Sequence, residues 1–273
     1  METTTMGDYR RRHLRVGTQT SRRRAYDLLR AGIRAGVVEE QLIEDALTRA
    51  LWTSRNAVRD ALQMLVEEGL VSRRPRHGTN VVRRIASVPL QELMPPPTGR
   101  PGEAGVRVRQ METRTVPISG IVANRLATSQ EFVTLSEQLI FIDDEAVCLR
   151  TAYMVTDLTP AEAEKSLGVI DATHIPSAEA FKLFFGVPMG EVESTIEAIP
   201  GERDACRALG MVTGAPVLFR ESIHRDVNGR PRMLLYAHYR GDRIALSTLT
   251  HIDERDSGYA ESESARTDTQ RPQ

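Results

Sequence analysis

The sequence predicts an α+β protein of two domains. An N-terminal unit of three helices and a small hairpin precedes a longer unit of mixed strands and helices. Three observations carry that expectation. A chain of 273 residues is longer than one hydrophobic core usually serves. Its charge is split: residues 1–90 hold 17 Arg and 10 acidic residues, a net +7, whereas residues 91–273 hold 19 basic and 27 acidic residues, a net −8. Across that boundary, residues 86–105 include Pro95-Pro96-Pro97, Gly99, Pro101, Gly102 and Gly105, the composition of a linker with a semi-rigid proline stretch.

Residues 1–20 are polar and basic and read as a mobile arm. From Ser21 the pattern is helical, with Ala25, Leu28, Leu29 and Ile33 on one face, Ser21 as the expected N-cap and Gly36 as the stop. A second helix is expected from Glu39 to Leu51, its apolar face Leu42, Ala46, Leu47 and Leu51. A third starts after Thr53-Ser54, with Val58, Ala61, Leu62, Leu65 and Val66 as its buried stripe and Gly69 at the C′ position. Two short strands, Leu70 to Arg74 and Thr79 to Arg84, flank Pro75-Arg76-His77-Gly78, a hairpin tip. Three helices followed by a hairpin within residues 21–85 give the element order of a winged helix-turn-helix.

The second unit, residues 106–252, begins with a strand, Val106 to Thr115, and a short helix, Ile118 to Ala127. Strands Phe132 to Ile142 and Glu145 to Val155 meet at an Asp143-Asp144 turn. Thr159-Pro160-Ala161-Glu162 has capping-box form and opens a helix to about Leu167. A helix from Ser177 to Phe185 ends at Gly186. Strand Glu191 to Ile199 and helix Glu202 to Leu209 follow. Strands Val217 to Asp226 and Arg232 to Arg240 join at Asn228-Gly229, a strong hairpin signal, and Arg243 to Leu249 is the last strand. Residues 253–273 read as a polar, disordered tail.

The third helix carries the chemistry. Its apolar stripe turns inward, so Arg55 and Arg59, at i and i+4, share the opposite face with Asn56. Guanidiniums bond guanine O6 and N7 in a fork, and an amide bonds adenine N6 and N7, so this turn suits a major groove. The hairpin adds Arg76, His77 and Gly78, placed to meet a minor groove or phosphates. A charged outer face is by itself most often only solvated; the ordered helices and basic hairpin favour DNA.

At these residues a resemblance becomes specific. Ser54-Arg55-x-x-Val58-Arg59-x-Ala61-Leu62-x-x-Leu65-x-x-Glu68-Gly69-Leu70-Val71, followed by Arg76-His77-Gly78-Thr79, resembles the winged helix of GntR-family transcriptional regulators. The resemblance implies operator contacts by Arg55, Arg59, His77 and Gly78. Asp45 stands where the family carries a DNA-contacting Arg, and Trp52-Thr53 replaces a Gly-Val turn. Gly214-Ala215-Pro216-Val217-Leu218, Asp226-x-x-Gly229-Arg230-Pro231 and Tyr239-Arg240-Gly241-Asp242-Arg243 resemble the UTRA domain of the HutC subfamily. That likeness implies a chorismate-lyase-like α+β fold, a small-molecule effector and a homodimer. Candidate effector contacts are Gln138, Arg150, Tyr153, Ser177, Arg220 and Tyr236, with Ser177 at a helix N-terminus able to hold an anion. Phosphosugar-binding relatives place arginines where Ser136-Glu137-Gln138 stands and a Glu near Met233, which argues against a sugar phosphate.

The expected function is a ligand-responsive regulator, most readily a repressor, acting as a homodimer on a palindromic double-stranded operator. An enzyme of chorismate-lyase-like fold with a DNA-binding head is the first alternative. A ligand-free dimeric DNA-binding protein is the second. No catalytic set, cofactor or metal site is expected. Cys148 and Cys206 lack metal-ligand spacing, as do His174, His224, His238 and His251, and His224 and His238 read as surface or hairpin residues. Cys148 reads as a small buried hydrophobe. No window approaches ~18 apolar residues and the basic N-terminus lacks a secretory core, so a cytoplasmic protein without membrane contact is expected.

Overall fold

The computed structural model describes residues 20–83, 85–92, 105–173 and 175–250. Nearly all of the expected arm (1–20), the proline-rich stretch Pro95 to Gly102, the tail (253–273), His174 and His251 lie outside them.

The head contains α1 (Ser21–Ala35), α2 (Glu44–Ala50) and α3 (Arg55–Glu67), followed by β1 (Val71–Arg74) and β2 (Gly78–Val81). Thr20, one residue before the expected cap, accepts the amide of Arg23 at 3.2 Å, and Gly36 closes α1 in the left-handed region at φ 68°. Ser54 caps α3 through the amide of Ala57 at 3.2 Å. Val58, Ala61, Leu62 and Leu65 have 0% exposure and pack against Leu29 and Ile33 of α1. Each such leucine contributes on the order of 1.5–3 kcal/mol by leaving water. Tyr26 and Arg30 of α1 both bond Glu68, the C-cap residue of α3. The tyrosine is partly buried against that carboxylate, and its hydroxyl is pushed up to about 12.

The second helix is shorter than expected. Residues 40–42 instead run beside β2: Leu42 N donates to Thr79 O at 2.8 Å and Val81 N to Glu40 O at 2.8 Å. Leu42 is buried as the periodicity requires, but its backbone satisfies itself in the wing rather than in a helix.

The body holds β3 (Ala86–Pro89), β4 (Arg107–Pro117), α4 (Gly120–Arg125), β5 (Phe132–Ile142), β6 (Glu145–Met154) and α5 (Pro160–Thr173). It continues with α6 (Ser177–Phe185), β7 (Met189–Pro200), α7 (Arg203–Ala208), β8 (Pro216–Asp226), β9 (Pro231–Arg240) and β10 (Ile244–Ser247). Six strands form an antiparallel sheet in the order β4-β5-β6-β9-β8-β7. The Asp143-Asp144 turn has φ of 52° and 60°, the left-handed pair of a tight hairpin. At the other hairpin Asp226 accepts from Asn228 N at 2.9 Å and Arg230 N at 3.1 Å, and pairs with Arg232 at 2.9 Å. The Thr159–Glu162 capping box forms, Thr159 N donating to Glu162 at 2.9 Å. Beyond Leu167 the helix continues through Gly168 to Thr173, past the expected stop.

Part of the expected linker belongs to the body. Ala86–Pro89 pairs in parallel with Ile244–Ser247, and Val88 is fully buried beside Ile140, Tyr239 and Ile244. The sequence does hold an apolar pattern there, but the prolines that follow mask it.

Candidate DNA-binding face and effector pocket

In the head, Arg55, Asn56 and Arg59 all stand exposed on the first turns of α3, opposite its buried stripe. The wing tip Arg76, His77 and Gly78 is exposed as well. Arg76 and Gly78 have φ of 67° and 75°, so the tip turns sharply. The hairpin is braced by Asn80, whose amide donates to His77 O at 2.8 Å. Two acidic residues opening α2 face this basic surface. Asp45 lies 2.9 Å from Arg55, and Glu44 takes Arg59 Nε at 2.8 Å and also bonds Arg73 of the wing strand. The hydrogen bond from Arg59 is the main cause holding the Glu44 carboxyl below its ordinary range, with Arg73 adding to it. Glu44 thus ties α3 to the wing while leaving the guanidiniums on the surface. Exposed pairs of this kind contribute only about 0–1 kcal/mol, which nucleic-acid phosphates can outbid.

In the body, alternation along the strands sorts the candidates onto two faces. Gln138, Arg150 and Arg220 lie in one row across the sheet, through the pairs Gln138–Arg150, Arg150–Ala237 and Ala237–Arg220. They face α5 and α6, and all three are buried. Arg150 Nε donates to Gln138 Oε1 at 2.9 Å, and Gln138 Nε2 to Gln110 Oε1 at 2.9 Å. Between this face and the helices lies a pocket with about 560 Å³ of empty space, its open mouth included. Ser136, Gln138 and Arg150 supply its polar floor, and Phe181, Phe184 and Leu235 are among its apolar walls. Ser177, first residue of α6, lines it too.

Two candidates are placed elsewhere. Tyr153 and Tyr236 project from the opposite face, with ring centroids 6.2 Å apart and edge to face, packed near Val122 and Leu126 of the α4 region. Tyr236 also meets Glu221, and it is partial burial first, then that carboxylate, that raises its hydroxyl. Arg220 faces the pocket side but does not line it. Its guanidinium donates to Glu92 O at 3.1 Å and to Leu90 O and Ser194 Oγ.

His224 corrects the surface assignment: it has 0% exposure and belongs to the pocket lining. Burial is the first cause, and the positive charges of Arg220 and Arg150 the next, that push its imidazole down to about 3. It is therefore neutral near pH 7, and its Nδ1 has no hydrogen-bond partner among the described residues. The available signal was parity, since Arg220, Ser222 and His224 recur at every second position of one strand. Cys148 is buried, as its apolar strand implies, and burial pushes its thiol up to about 12. Among the described residues no cluster of three or more His, Cys, Asp or Glu can hold a metal, and no helix is long and apolar enough to cross a membrane.

A winged helix presenting Arg and Asn outward, followed by a sheet domain with a largely apolar, open-mouthed pocket, is the architecture of a DNA-binding regulator with a ligand-binding domain. The comparisons agree. Residues 21–81 match bacterial regulatory proteins of the gntR family, and residues 103–245 match the UTRA domain. The chain belongs to the GntR family, in its branch carrying a UTRA domain, whose members are regulators rather than enzymes. The crystal structure of PhnF from Mycobacterium smegmatis is similar at 19% identity, covering 84% of this chain and 100% of that one, with a TM-score of 0.54. That of a GntR-family transcriptional regulator described as putative is 21% identical over 86% of this chain and 99% of that one, with a TM-score of 0.49. At 19% identity the likeness to PhnF concerns the fold alone.

Proposed function

We propose that the protein is a one-component repressor that binds a palindromic operator as a homodimer and releases it when a small effector enters the body. It would act in the cytoplasm, where the DNA is. Arg55, Asn56 and Arg59 read bases in the major groove, and Arg76, His77 and Gly78 hold the wing on an adjacent minor groove or phosphates. The observation that carries this reading is the exposed Arg55-Asn56-Arg59 turn on a helix anchored by four fully buried apolar residues. A rigid helix with an exposed polar turn is what base readout requires. In the dimer two such helices enter successive major grooves ~34 Å apart. Gln138, Arg150 and Ser177 contact the effector, with His224 beside them. Effector binding must favour one arrangement of the two heads, because a ligand bound equally by both states shifts nothing.

The test is footprinting on the DNA upstream of the protein's own gene, followed by titration of the protected duplex. Arg59→Ala is expected to lose about 1–3 kcal/mol of binding and to relax preference at one base position. Undiminished affinity and selectivity would overturn the assignment. Sedimentation of the full chain should give a dimer.

A further inference from the structure

Helix α6 starts after Pro176, which offers no side-chain group to cap it. Its first turn presents the positive end of the helix dipole, and although Glu179 N is met by Pro176 O at 3.0 Å, Ser177 N takes a partner from outside the helix. The partner comes from far along the chain. Glu92 Oε2 accepts from Ser177 N at 2.9 Å, across 85 sequence positions. Glu92 belongs to the segment leaving β3, and Arg220 holds the backbone of that same segment. The guanidinium, fully buried, donates to the carbonyls of Leu90 and Glu92. The segment that follows β3 is thus fixed twice, by a buried cation on its carbonyls and by a helix start on its carboxylate.

Ser177 also lines the pocket, whose walls are apolar and whose floor carries Gln138, Ser136 and the Arg150 guanidinium. The same chamber is lined by the fully buried His224, whose Nδ1 has no hydrogen-bond partner among the described residues, so it holds a polar atom for a ligand to satisfy, and the helix start that Glu92 occupies borders it. We propose that Glu92 is an internal stand-in for the charged group of the effector. A small molecule carrying an oxyanion on a compact apolar body competes with the Glu92 carboxylate for the first turn of α6. Entry of the ligand expels Glu92 and loosens residues 90–92, which continue through β3 toward the wing of the head. Such a ligand binds only the state in which Glu92 has left, so it has the differential affinity that a switch needs. This inference rests on the reading of the pocket as the effector site.

The test uses the full-length protein, Glu92→Ala and Glu92→Gln, titrated with benzoate, phenyl phosphate, benzamide and inorganic phosphate. With the internal competitor removed, at least one of benzoate and phenyl phosphate should bind Glu92→Ala roughly tenfold more tightly than the unmodified protein. Whichever gains more identifies carboxylate or phosphate as the preferred group. Glu92→Gln, which keeps the oxygen acceptor without the charge, should show the same direction. Benzamide should bind all three proteins alike, and inorganic phosphate, lacking an apolar body, should bind weakly to each. In the unmodified protein the tighter anion should raise amide hydrogen exchange in residues 88–92. Anions that bind all three proteins equally would overturn the competition and leave the pocket reading standing. Failure of every aromatic probe to bind any of the three would overturn the pocket reading itself, and the competition with it.

Discussion

Asp45→Asn is expected to tighten operator binding, although it removes a salt bridge. Asp45 Oδ1 lies 2.9 Å from Arg55 Nη2, and the two side chains are 62% and 65% exposed. A pair this exposed contributes about 0.2–1 kcal/mol, and Arg55 must give that up when it turns toward a base. In the proposed complex the carboxylate also faces the duplex. For unit charges roughly 7 Å apart in a water-like medium the repulsion is about 0.6 kcal/mol before salt screening. Together these amount to about 1 kcal/mol, or roughly a fivefold lower Kd. Fluorescence anisotropy with a labelled operator duplex measures the change, with Arg55→Ala supplying the second leg of a double-mutant cycle. In the Arg55→Ala background only the repulsion is relieved, so the gain should fall to roughly twofold. Weaker binding by Asp45→Asn, or an equal gain in both backgrounds, would refute the reasoning. Loss of the helix-dipole partner in the first turn of α2 should lower thermal stability slightly, which separates folding from affinity.

Two further outcomes follow from the same structure. Operator affinity should fall steeply with salt, at a log–log slope near −0.9 for each phosphate neutralised, and a flat profile in an anisotropy titration would contradict binding through the basic face. His224, held neutral in the fold, should make stability pH-dependent. Its folded pKa lies below the unfolded value, so the unfolded chain binds more protons, and stability is lost as pH falls from about 6.5 toward about 3. Denaturant titrations should show a slope on the order of 1 kcal/mol per pH unit from this group, absent in His224→Asn; identical profiles for the two proteins would contradict it.

The head was largely legible because α1 and α3 are amphipathic and capped by the hydroxyls of Thr20 and Ser54, whereas α2 opens at Ile43 with no side-chain cap. The misreading at residues 39–43 has a simple origin. Leu42 falls at helical spacing with Ala46, yet its backbone pairs with β2, and side-chain periodicity does not reveal where an amide goes. In the body, Asp143-Asp144 and Asn228-Gly229 located two hairpins and thereby four strands. The pocket was half legible. Alternation places Arg150 and Tyr153 on opposite faces of one strand, so no single-sided pocket takes both. Which face forms the site depends on where α5 and α6 pack, and strand periodicity does not encode that. Glu92 was out of reach because it follows an apolar strand disguised by prolines and meets Ser177 only through tertiary folding. Trp52 makes the same point for the head. It takes φ 49° in the turn between α2 and α3 while 72% exposed, a conformation bulky residues rarely adopt, imposed by the helices on either side.

The most direct measurement places a photo-crosslinking amino acid at position 56 and, separately, at exposed Val212 of the body, then irradiates each protein on its operator duplex. Crosslinks to bases from position 56 and none from position 212 are the expected result. An operator bound and footprinted as tightly as before, with no crosslink from position 56, would mean that α3 does not enter the duplex.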